Sequence, residues 1–224
     1  MIRVFDFETT GLDPAEGAEV CELGFSDLLP DGTITDPVSE LFGISGKMPP
    51  DVRAVHHIHS DDLLGLPFFA PSHLGVSAVY AAHNAKFELQ FVTPPTPVIC
   101  TYKAALRVWP DAPSHANYAL AYWLEDRAVI DPLDRFKSQP AHRAGPDAYV
   151  TAHILRVLTS EATTEDMIQW TSEPAVQSRI GFGKHRGQRW SEVDDGYLRW
   201  VLGQDFDEDT KWNVQRELER RNNP

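Results

Sequence analysis

The sequence has few cysteines, no uninterrupted apolar run of membrane-spanning length and no excess of positive charge. Its two cysteines, Cys21 and Cys100, each lie inside an apolar stretch, which excludes a disulfide framework and a cysteine-based zinc site. Charges at positions 3, 6 and 8 exclude the apolar core of a signal peptide. Positions 63 to 85 lack Asp, Glu, Lys and Arg, but Pro67 and Pro71 interrupt that segment, which argues against a membrane span. We therefore expect a soluble, cytoplasmic protein with no membrane partner.

Positive charge is scarce, with 20 Lys and Arg against 33 Asp and Glu and a formal net charge of -13. Taken alone, this excess argues against a partner with a phosphate backbone, because an even negative surface repels one. The charge is uneven, however. Residues 178–224 hold nine basic and nine acidic side chains, so the whole excess lies before them. This shift and the length predict a main domain over residues 1–170 and a small C-terminal domain over 178–224.

The order of apolar segments predicts the fold class. Strands are expected at 2–7, 19–29, 33–44, 78–82 and 98–100, and helices at 84–91, 101–108, 117–124 and from Pro146 onward. Strands followed by alternating strands and helices predict an α/β domain with a mixed sheet. The tail predicts a strand at 179–182, a Gly-rich turn and helices at 195–202 and 207–221. It is too small to fold readily alone, so we expect it to pack on the main domain or a partner.

Two acidic residues on the first strand are the first candidates for chemistry. Asp6 and Glu8 are two positions apart, so both side chains leave the same face of the strand. One interpretation is a solvated acidic face on an edge strand. The alternative is a ligand site, because a turn containing Gly11 follows the strand at once, and α/β folds place ligands where strands end.

Further acids follow later elements, Glu88 after the fourth strand and Asp147 at the start of the long helix, with His142 five residues before it. Asp147 alone can be explained as an acid that complements the helix dipole. Four carboxylates brought together would repel one another unless hard cations neutralised them. Oxygen ligands suit Mg²⁺ or Mn²⁺, and two such ions can clamp the attacking and leaving oxygens of a phosphodiester.

Three segments of the chain together resemble the three exonuclease motifs of the DEDDh family, in the same order. They are DFETTG at 6–11, HNAKFE at 83–88 and HRAGPD at 142–147. The tail segments FGKHRG at 182–187 and DGYLRW at 195–200 are similar to the C-terminal segment of the exodeoxyribonuclease X branch of that family. The resemblance implies a ribonuclease H-like fold, a mixed sheet flanked by helices, and hydrolysis of nucleic acid from its 3′ end with two divalent cations.

The resemblance also implies a role for each motif residue. Asp6 would bridge both metal ions, Glu8 and Asp147 would complete the site of one of them, and His142 would be the general base that takes a proton from the attacking water. The family's second motif ends in Asp, whereas this chain has Glu88. The extra methylene lengthens the side chain by about 1.5 Å, so Glu88 would ligate a metal ion directly or crowd it.

The resemblance also places five substrate-binding candidates: Thr9, Gly11, Leu12, His56 and Asn84. In the tail, Lys184, Arg186 and Arg189 lie between aromatic residues as in a small phosphate contact, which adds Lys184 and Arg186. Leu12 would pack on the terminal base, and the two cations of the tail would contact phosphate. Each also has a structural interpretation, as a core leucine, a satisfied internal polar group or a solvated turn. Four apolar residues of the tail at helical spacing are expected in its core rather than stacked on bases: Tyr197, Trp200, Val201 and Trp212.

These observations predict a metal-dependent 3′→5′ exodeoxyribonuclease that acts on 3′ ends of single- or double-stranded DNA in repair and releases mononucleotides. A DEDDh exoribonuclease is the alternative, and Glu88 motivates another, a nucleic-acid-binding module with weakened catalysis. The resemblance of the tail disfavours a proofreading subunit of a polymerase. Gly145 and Pro146 keep His142 off the helix, and we hypothesise that its loop is ordered into line only when substrate and metal are bound. The oligomeric state stays open.

Overall fold

The computed structural model describes residues 1–222 and contains a mixed five-stranded sheet flanked by helices, as predicted. The strands are β1 (Ile2–Thr9), β2 (Val20–Leu28), β3 (Val38–Leu41), β4 (Val79–Ala82) and β5 (Val98–Cys100). Their spatial order is β3-β2-β1-β4-β5, with β1 antiparallel to β2 and parallel to β4. The interpretation of the first strand as an edge strand is therefore wrong, because β1 is the middle strand.

Residues 1–222 form seven α-helices. They are α1 (Pro50–His56), α2 (Thr101–Val108), α3 (Asn117–Asp126), α4 (Ala144–Glu161), α5 (Thr164–Ser172), α6 (Asp195–Leu202) and α7 (Glu208–Asn222). The long helix α4 packs on β1 and β2 through the predicted stripe of Val150, Ile154 and Leu158, each fully buried. Phe5, Phe7 and other apolar side chains fill the opposite face of the sheet. The sheet is thus covered on both sides, and β1 is held rigidly at its centre.

Two expected elements of the main domain differ from the structure. The helix predicted over 84–91 is wrong: Asn84 adopts a left-handed backbone with φ of 62°, which interrupts a helix, and only a 3₁₀ turn forms at Glu88–Gln90. The second strand of the hairpin is much shorter than predicted. Pro37 has no N–H to donate to the ladder, so β3 begins only at Val38.

Helix boundaries show two further differences. The long helix begins at Ala144 rather than near Pro146, and α5 was not predicted. In the tail, the strand predicted over 179–182 is wrong. Only an isolated bridge joins Arg179 to Arg189, because the chain bends at Gly183 and Gly187, whose φ values are 59° and 86°.

The C-terminal segment, residues 178–222, has a small core of its own and packs on the main domain. Its buried side chains include Ile180, Trp190, Leu198, Val201 and Val214. Asn213 Nδ2 donates a 2.7 Å hydrogen bond to the Ala175 carbonyl, and Arg189 forms an ion pair of 2.7 Å with Asp111. The expectation of a core position holds for Val201 but is wrong for Trp200, of which 51% is exposed. Among the helices of residues 1–222, none combines the length and apolar character that crossing a bilayer requires.

Candidate active site

The middle strand β1 presents two carboxylates on one face. Asp6 and Glu8 are half-buried on the face opposite to Phe5 and Phe7, whose rings pack in the core with exposed fractions of 0% and 4%. Because the aromatic rings are fixed, the strand cannot slip by one residue without burying both acids in the apolar core. The carboxylates therefore project from a rigid support.

A third carboxylate, Asp147, reaches the same place from the first turn of α4. Its Oδ1 accepts hydrogen bonds from the Tyr118 hydroxyl at 2.9 Å and from the His142 backbone N–H at 3.2 Å. The His142 side chain is exposed on the loop before α4, with a left-handed backbone of φ 59°. The predicted general base is thus adjacent to the acidic cluster, and its conditional ordering stays a prediction.

Asp6, Glu8 and Asp147 form one cluster, in which one oxygen of each carboxylate lies within 4.8 Å of the others. Burial, with the charges of Asp147 and Glu88, raises the pKa of Asp6 well above its ordinary range. Burial and the charge of Asp147 raise the pKa of Glu8 to about 8, and burial raises that of Asp147 to about 6. Close, poorly solvated acids of this kind need either protons or cations, and their oxygen-only ligands suit Mg²⁺ or Mn²⁺.

Glu88 lies beside this cluster but outside it. Its side chain is 3% exposed, and its Oε2 has no hydrogen-bond partner within residues 1–222. Burial raises its pKa to about 8, and its charge in turn raises the pKa values of Asp6 and Glu8. Because its Oε2 is unpartnered and its charge acts on Asp6 and Glu8, Glu88 is the candidate for a fourth carboxylate beside the three of the cluster.

An ion pair that the sequence did not reveal holds the loop before α4. Glu22 is fully buried on β2, directly opposite Glu8. Its carboxylate accepts two hydrogen bonds from the Arg143 guanidinium, at 2.9 and 2.7 Å, and a third from the Ala144 N–H at 3.1 Å. A charged residue with apolar neighbours on both sides, in the segment VCELGF at 20–25, was the signal that could have identified Glu22. Arg143 follows His142 directly, so this pair anchors the chain next to the predicted base.

A cavity of about 430 Å³ adjoins Glu8 and brings together four of the predicted substrate-binding residues. They are Thr9, Gly11, Leu12 and His56. The Leu12 side chain is 81% exposed, so the interpretation as a core leucine is wrong. His56 is buried in the wall, where its Nδ1 accepts a hydrogen bond from the Ile58 N–H and its Nε2 has no partner within residues 1–222.

The remaining predicted substrate-binding residues lie outside this cavity. Asn84 is exposed on the turn before Glu88, and its left-handed backbone shapes that turn. Lys184 and Arg186 are exposed on a turn of the C-terminal segment. The proposed roles of all three stay predictions.

Comparisons with known proteins decide the family. The chain is 35% identical over 212 residues to exodeoxyribonuclease 10 of Escherichia coli strain K12, an alignment that covers 90% of both proteins. The chain belongs to the exodeoxyribonuclease X family. An alignment of this extent includes part of the C-terminal segment, since residues 178–224 make up more than a tenth of the sequence.

Other relatives agree with membership of this exonuclease family. The chain is 30% identical to the DNA polymerase III subunit epsilon of Treponema pallidum, with 79% of this chain and 85% of that protein covered. The solved structure of exonuclease X with 5′-overhanging duplex DNA matches with a TM-score of 0.65 and 30% identity, over 77% of this chain and all of that one. The nuclease domain of 3′hExo, a DEDDh family member, shares the fold at 18% identity, with a TM-score of 0.51 over 72% of this chain and 92% of that one. A scan against models of protein families found no match. The predicted ribonuclease H-like architecture is confirmed.

Proposed function

We propose that this protein is a metal-dependent 3′→5′ exodeoxyribonuclease that releases nucleoside monophosphates from DNA 3′ ends. The observation that carries the proposal is the cluster of Asp6, Glu8 and Asp147, three carboxylates within 4.8 Å on rigid elements beside an open cavity. The name of the Escherichia coli relative and the DNA in the exonuclease X complex support DNA as the substrate.

Asp6, Glu8 and Asp147 would hold the divalent cations, with Glu88 as the fourth carboxylate. Two bound cations would neutralise the negative charge of the cluster and of the scissile phosphate. Residues of the chain itself bind the substrate. The cavity beside Glu8 receives the terminal nucleotide, with the exposed Leu12 side chain against its base and His56 in the wall.

His142 acts as the general base in this proposal and takes a proton from the attacking water. Two observations support this role. The backbone N–H of His142 donates a hydrogen bond to Asp147 at the edge of the cluster, and His142 matches the family's third motif. No covalent intermediate forms with the protein. The reaction needs an in-line attack on phosphorus, a base in reach and neutralisation of the leaving oxygen.

Incubation of 5′-labelled DNA and RNA oligonucleotides with the full chain in Mg²⁺, Mn²⁺ or EDTA tests this function. We expect a ladder of progressively shorter labelled DNA with either metal and none with EDTA. Immediate release of the labelled nucleotide would mean attack from the 5′ end. Faster loss of RNA than of DNA would favour the exoribonuclease alternative.

Two variants separate the roles within the site. Asp6→Asn should lose metal-dependent hydrolysis, because it removes a charge from the cluster. His142→Ala should lower turnover by about 100-fold or more, the usual contribution of a general base, with the midpoint of metal activation nearly unchanged. Retained turnover in His142→Ala would contradict its role as the base.

A further inference from the structure

A second cavity, of about 680 Å³, lies on the C-terminal segment away from the carboxylate cluster. Its walls include four aromatic side chains and one lysine: Phe182, Tyr197, Trp200, Phe206 and Lys184. The lining is mainly apolar although the cavity is open to solvent. We call it the aromatic cavity. An exposed, concave and mainly apolar surface of this kind is typical of a binding site.

The rings of the aromatic cavity are stacked in two pairs. Tyr197 and Trp200 lie with centroids 5.6 Å apart and an interplanar angle of 29°, and Phe182 and Phe206 with centroids 4.3 Å apart at 28°. On the other side of α6, Leu198 and Val201 are fully buried. Phe182, Tyr197 and Phe206 pack with one side against the core of the segment, whereas half of Trp200 is exposed, so the core holds a partly exposed aromatic surface in place.

Cations flank the aromatic cavity. Lys184 Nζ lies 5.9 Å from the centre of the Tyr197 ring, and Arg186 is exposed in the same turn. Within residues 1–222 neither cation forms an ion pair, whereas Arg189 nearby is paired with Asp111. One acid, Asp194, lines the cavity, and its Oδ1 is engaged as the helix cap that accepts the Tyr197 N–H at 2.9 Å. The two cations, Lys184 and Arg186, exceed the ionised Asp194 by one, so the rim carries a small positive balance in a chain whose net charge is -13.

Flat aromatic faces beside unpaired cations match the chemistry of one ligand class. Bases stack on aromatic side chains in proteins that bind single strands, while Lys and Arg follow the phosphates. An amphipathic peptide would need a longer apolar groove, and a negatively charged partner protein would not need stacked rings. We propose that the aromatic cavity binds a base of an unpaired nucleic-acid strand, with Lys184 and Arg186 on its phosphates.

The position of the segment allows this strand to belong to the substrate. Asp207 follows Phe206 of the cavity, and the charge of Lys86 reaches that carboxyl. Although burial acts to raise the pKa of Asp207, hydrogen bonds from Thr210 and the charge of Lys86 lower it. Lys86 lies on the turn that leads to Glu88. A residue next to the aromatic cavity therefore lies near the turn that leads to Glu88, and this inference rests on the proposed function and extends it by a second contact for the same substrate.

Binding measured without metal tests the aromatic cavity independently of hydrolysis. The full chain in EDTA would be titrated into a fluorescein-labelled oligothymidylate and followed by anisotropy. We expect Trp200→Ala to weaken binding by about tenfold, the scale of one lost stacking contact, and Trp200→Phe to restore most of it. Lys184→Ala should weaken binding and flatten its salt dependence, because one fewer phosphate is neutralised.

Matched controls come from the same segment. Trp212→Ala and Lys211→Ala remove the same residue types outside the aromatic cavity and should bind like the parent. If Trp200→Ala failed to fold by circular dichroism, the comparison of Lys184→Ala with Lys211→Ala would decide. Equal oligonucleotide affinity of the cavity variants and the parent would overturn the inference. It would also be overturned if the parent sedimented as a dimer and Trp200→Ala as a monomer, with the same affinity for the oligonucleotide.

The outcomes also separate this inference from the proposed function. Binding that depends on Trp200 in a chain with no metal-dependent hydrolysis would contradict the proposed function and leave the aromatic cavity in place. Normal metal-dependent hydrolysis by the parent, with unchanged oligonucleotide affinity in Trp200→Ala, would contradict the inference about the aromatic cavity and leave the proposed function in place.

Discussion

Glu88 is a buried acid at a position where the family's motif has the shorter Asp. It holds a carboxyl group with a raised pKa of about 8, an unpartnered Oε2 and almost no exposure, close to three other acids. We expect Glu88→Gln to melt at least as high as the parent without metal, because an amide matches the size and neutrality of a protonated carboxyl. Its Mg²⁺-dependent turnover should fall by about 100-fold or more, since the amide neutralises no cation.

Thermal melting in EDTA and hydrolysis of 5′-labelled DNA give the two readings. Glu88→Asp is the matched control, because it keeps the charge and shortens the side chain by one methylene. We expect it to stay within about tenfold of the parent, as one misplaced but charged ligand would allow. Parent-like turnover in Glu88→Gln would exclude Glu88 from the metal site. A strong rise in Mg²⁺ activity for Glu88→Asp would mean that the longer side chain impairs the enzyme.

At the scale of elements, the first turn of α4 rests directly on the backbone of the sheet. A side chain on Gly24 of β2 would lie 1.9 Å from the Ala144 carbonyl carbon, and one on Gly145 would lie 2.4 Å from Ser39 Oγ. The Glu22–Arg143 ion pair closes the same junction. Two glycines and one buried ion pair thus fix the helix that presents Asp147 and the loop that presents His142.

Loss of the Arg143 side chain should therefore loosen the helix and the active site together. We expect Arg143→Ala to lower the free energy of unfolding by about 3 kcal/mol, because a buried Glu22 carboxylate is left without its cation. Turnover should fall by about tenfold, since the acid and the base lose their fixed placement, while the KM for DNA changes less. Chemical denaturation and steady-state kinetics measure the two effects.

Arg135→Ala is the control for charge alone, because Arg135 is exposed and has no ion pair within residues 1–222. It should match the parent in both measurements. An Arg143→Lys variant keeps the cation without the two-pronged hydrogen bond, so its stability should lie between those of the parent and Arg143→Ala. An Arg143→Ala variant as stable as the parent would show that the Glu22–Arg143 ion pair contributes no net stability.

The elements also show where sequence patterns were informative. The α2 and α6 helices lie at the predicted residues, and the stripe on α4 is buried, because apolar periodicity reflects packing against one face. The turn after β4 was predicted as a helix because its residues are compatible with one. The left-handed backbone of Asn84 is imposed by tertiary contacts, and the local sequence pattern does not predict it.

The site follows the same division. Asp6 and Glu8 were predictable from their spacing on a strand, and Asp147 and His142 from their motif. The partnership of Glu22 with Arg143 joins residues 121 positions apart and exists only once β2 and α4 pack. Asp6, Glu8 and Asp147 meet in the folded chain, and Glu88 lies beside them on a turn whose shape the sequence did not predict.

At the scale of the whole molecule, the active-site acids oppose folding when no cation is present. Glu8 and Glu88 have ordinary pKa values near 4.5 and folded values of about 8, mainly because of burial, and that of Asp147 is raised from 3.8 to about 6. Each acid keeps its proton in the folded chain at a pH where the unfolded chain has lost it. Folding then takes up protons, so the free energy of unfolding falls as the pH rises from about 4.5 to 8.

Divalent cations should reverse this trend, because they bind the ionised form of the same acids. We expect the metal-free melting temperature to fall by several degrees, roughly the effect of 1–2 kcal/mol, between pH 6 and pH 8. We expect Mn²⁺ to raise it more at pH 8 than at pH 6, since fewer protons must then be displaced. A variant with both Asp6→Asn and Glu8→Gln should lose most of the pH trend and of the metal effect. The control is Asp61→Asn with Asp62→Asn, which removes two exposed acids of the same domain. It should keep the pH trend and the metal effect. A metal-induced rise that is equal at the two pH values would contradict the assignment of these acids as the metal ligands.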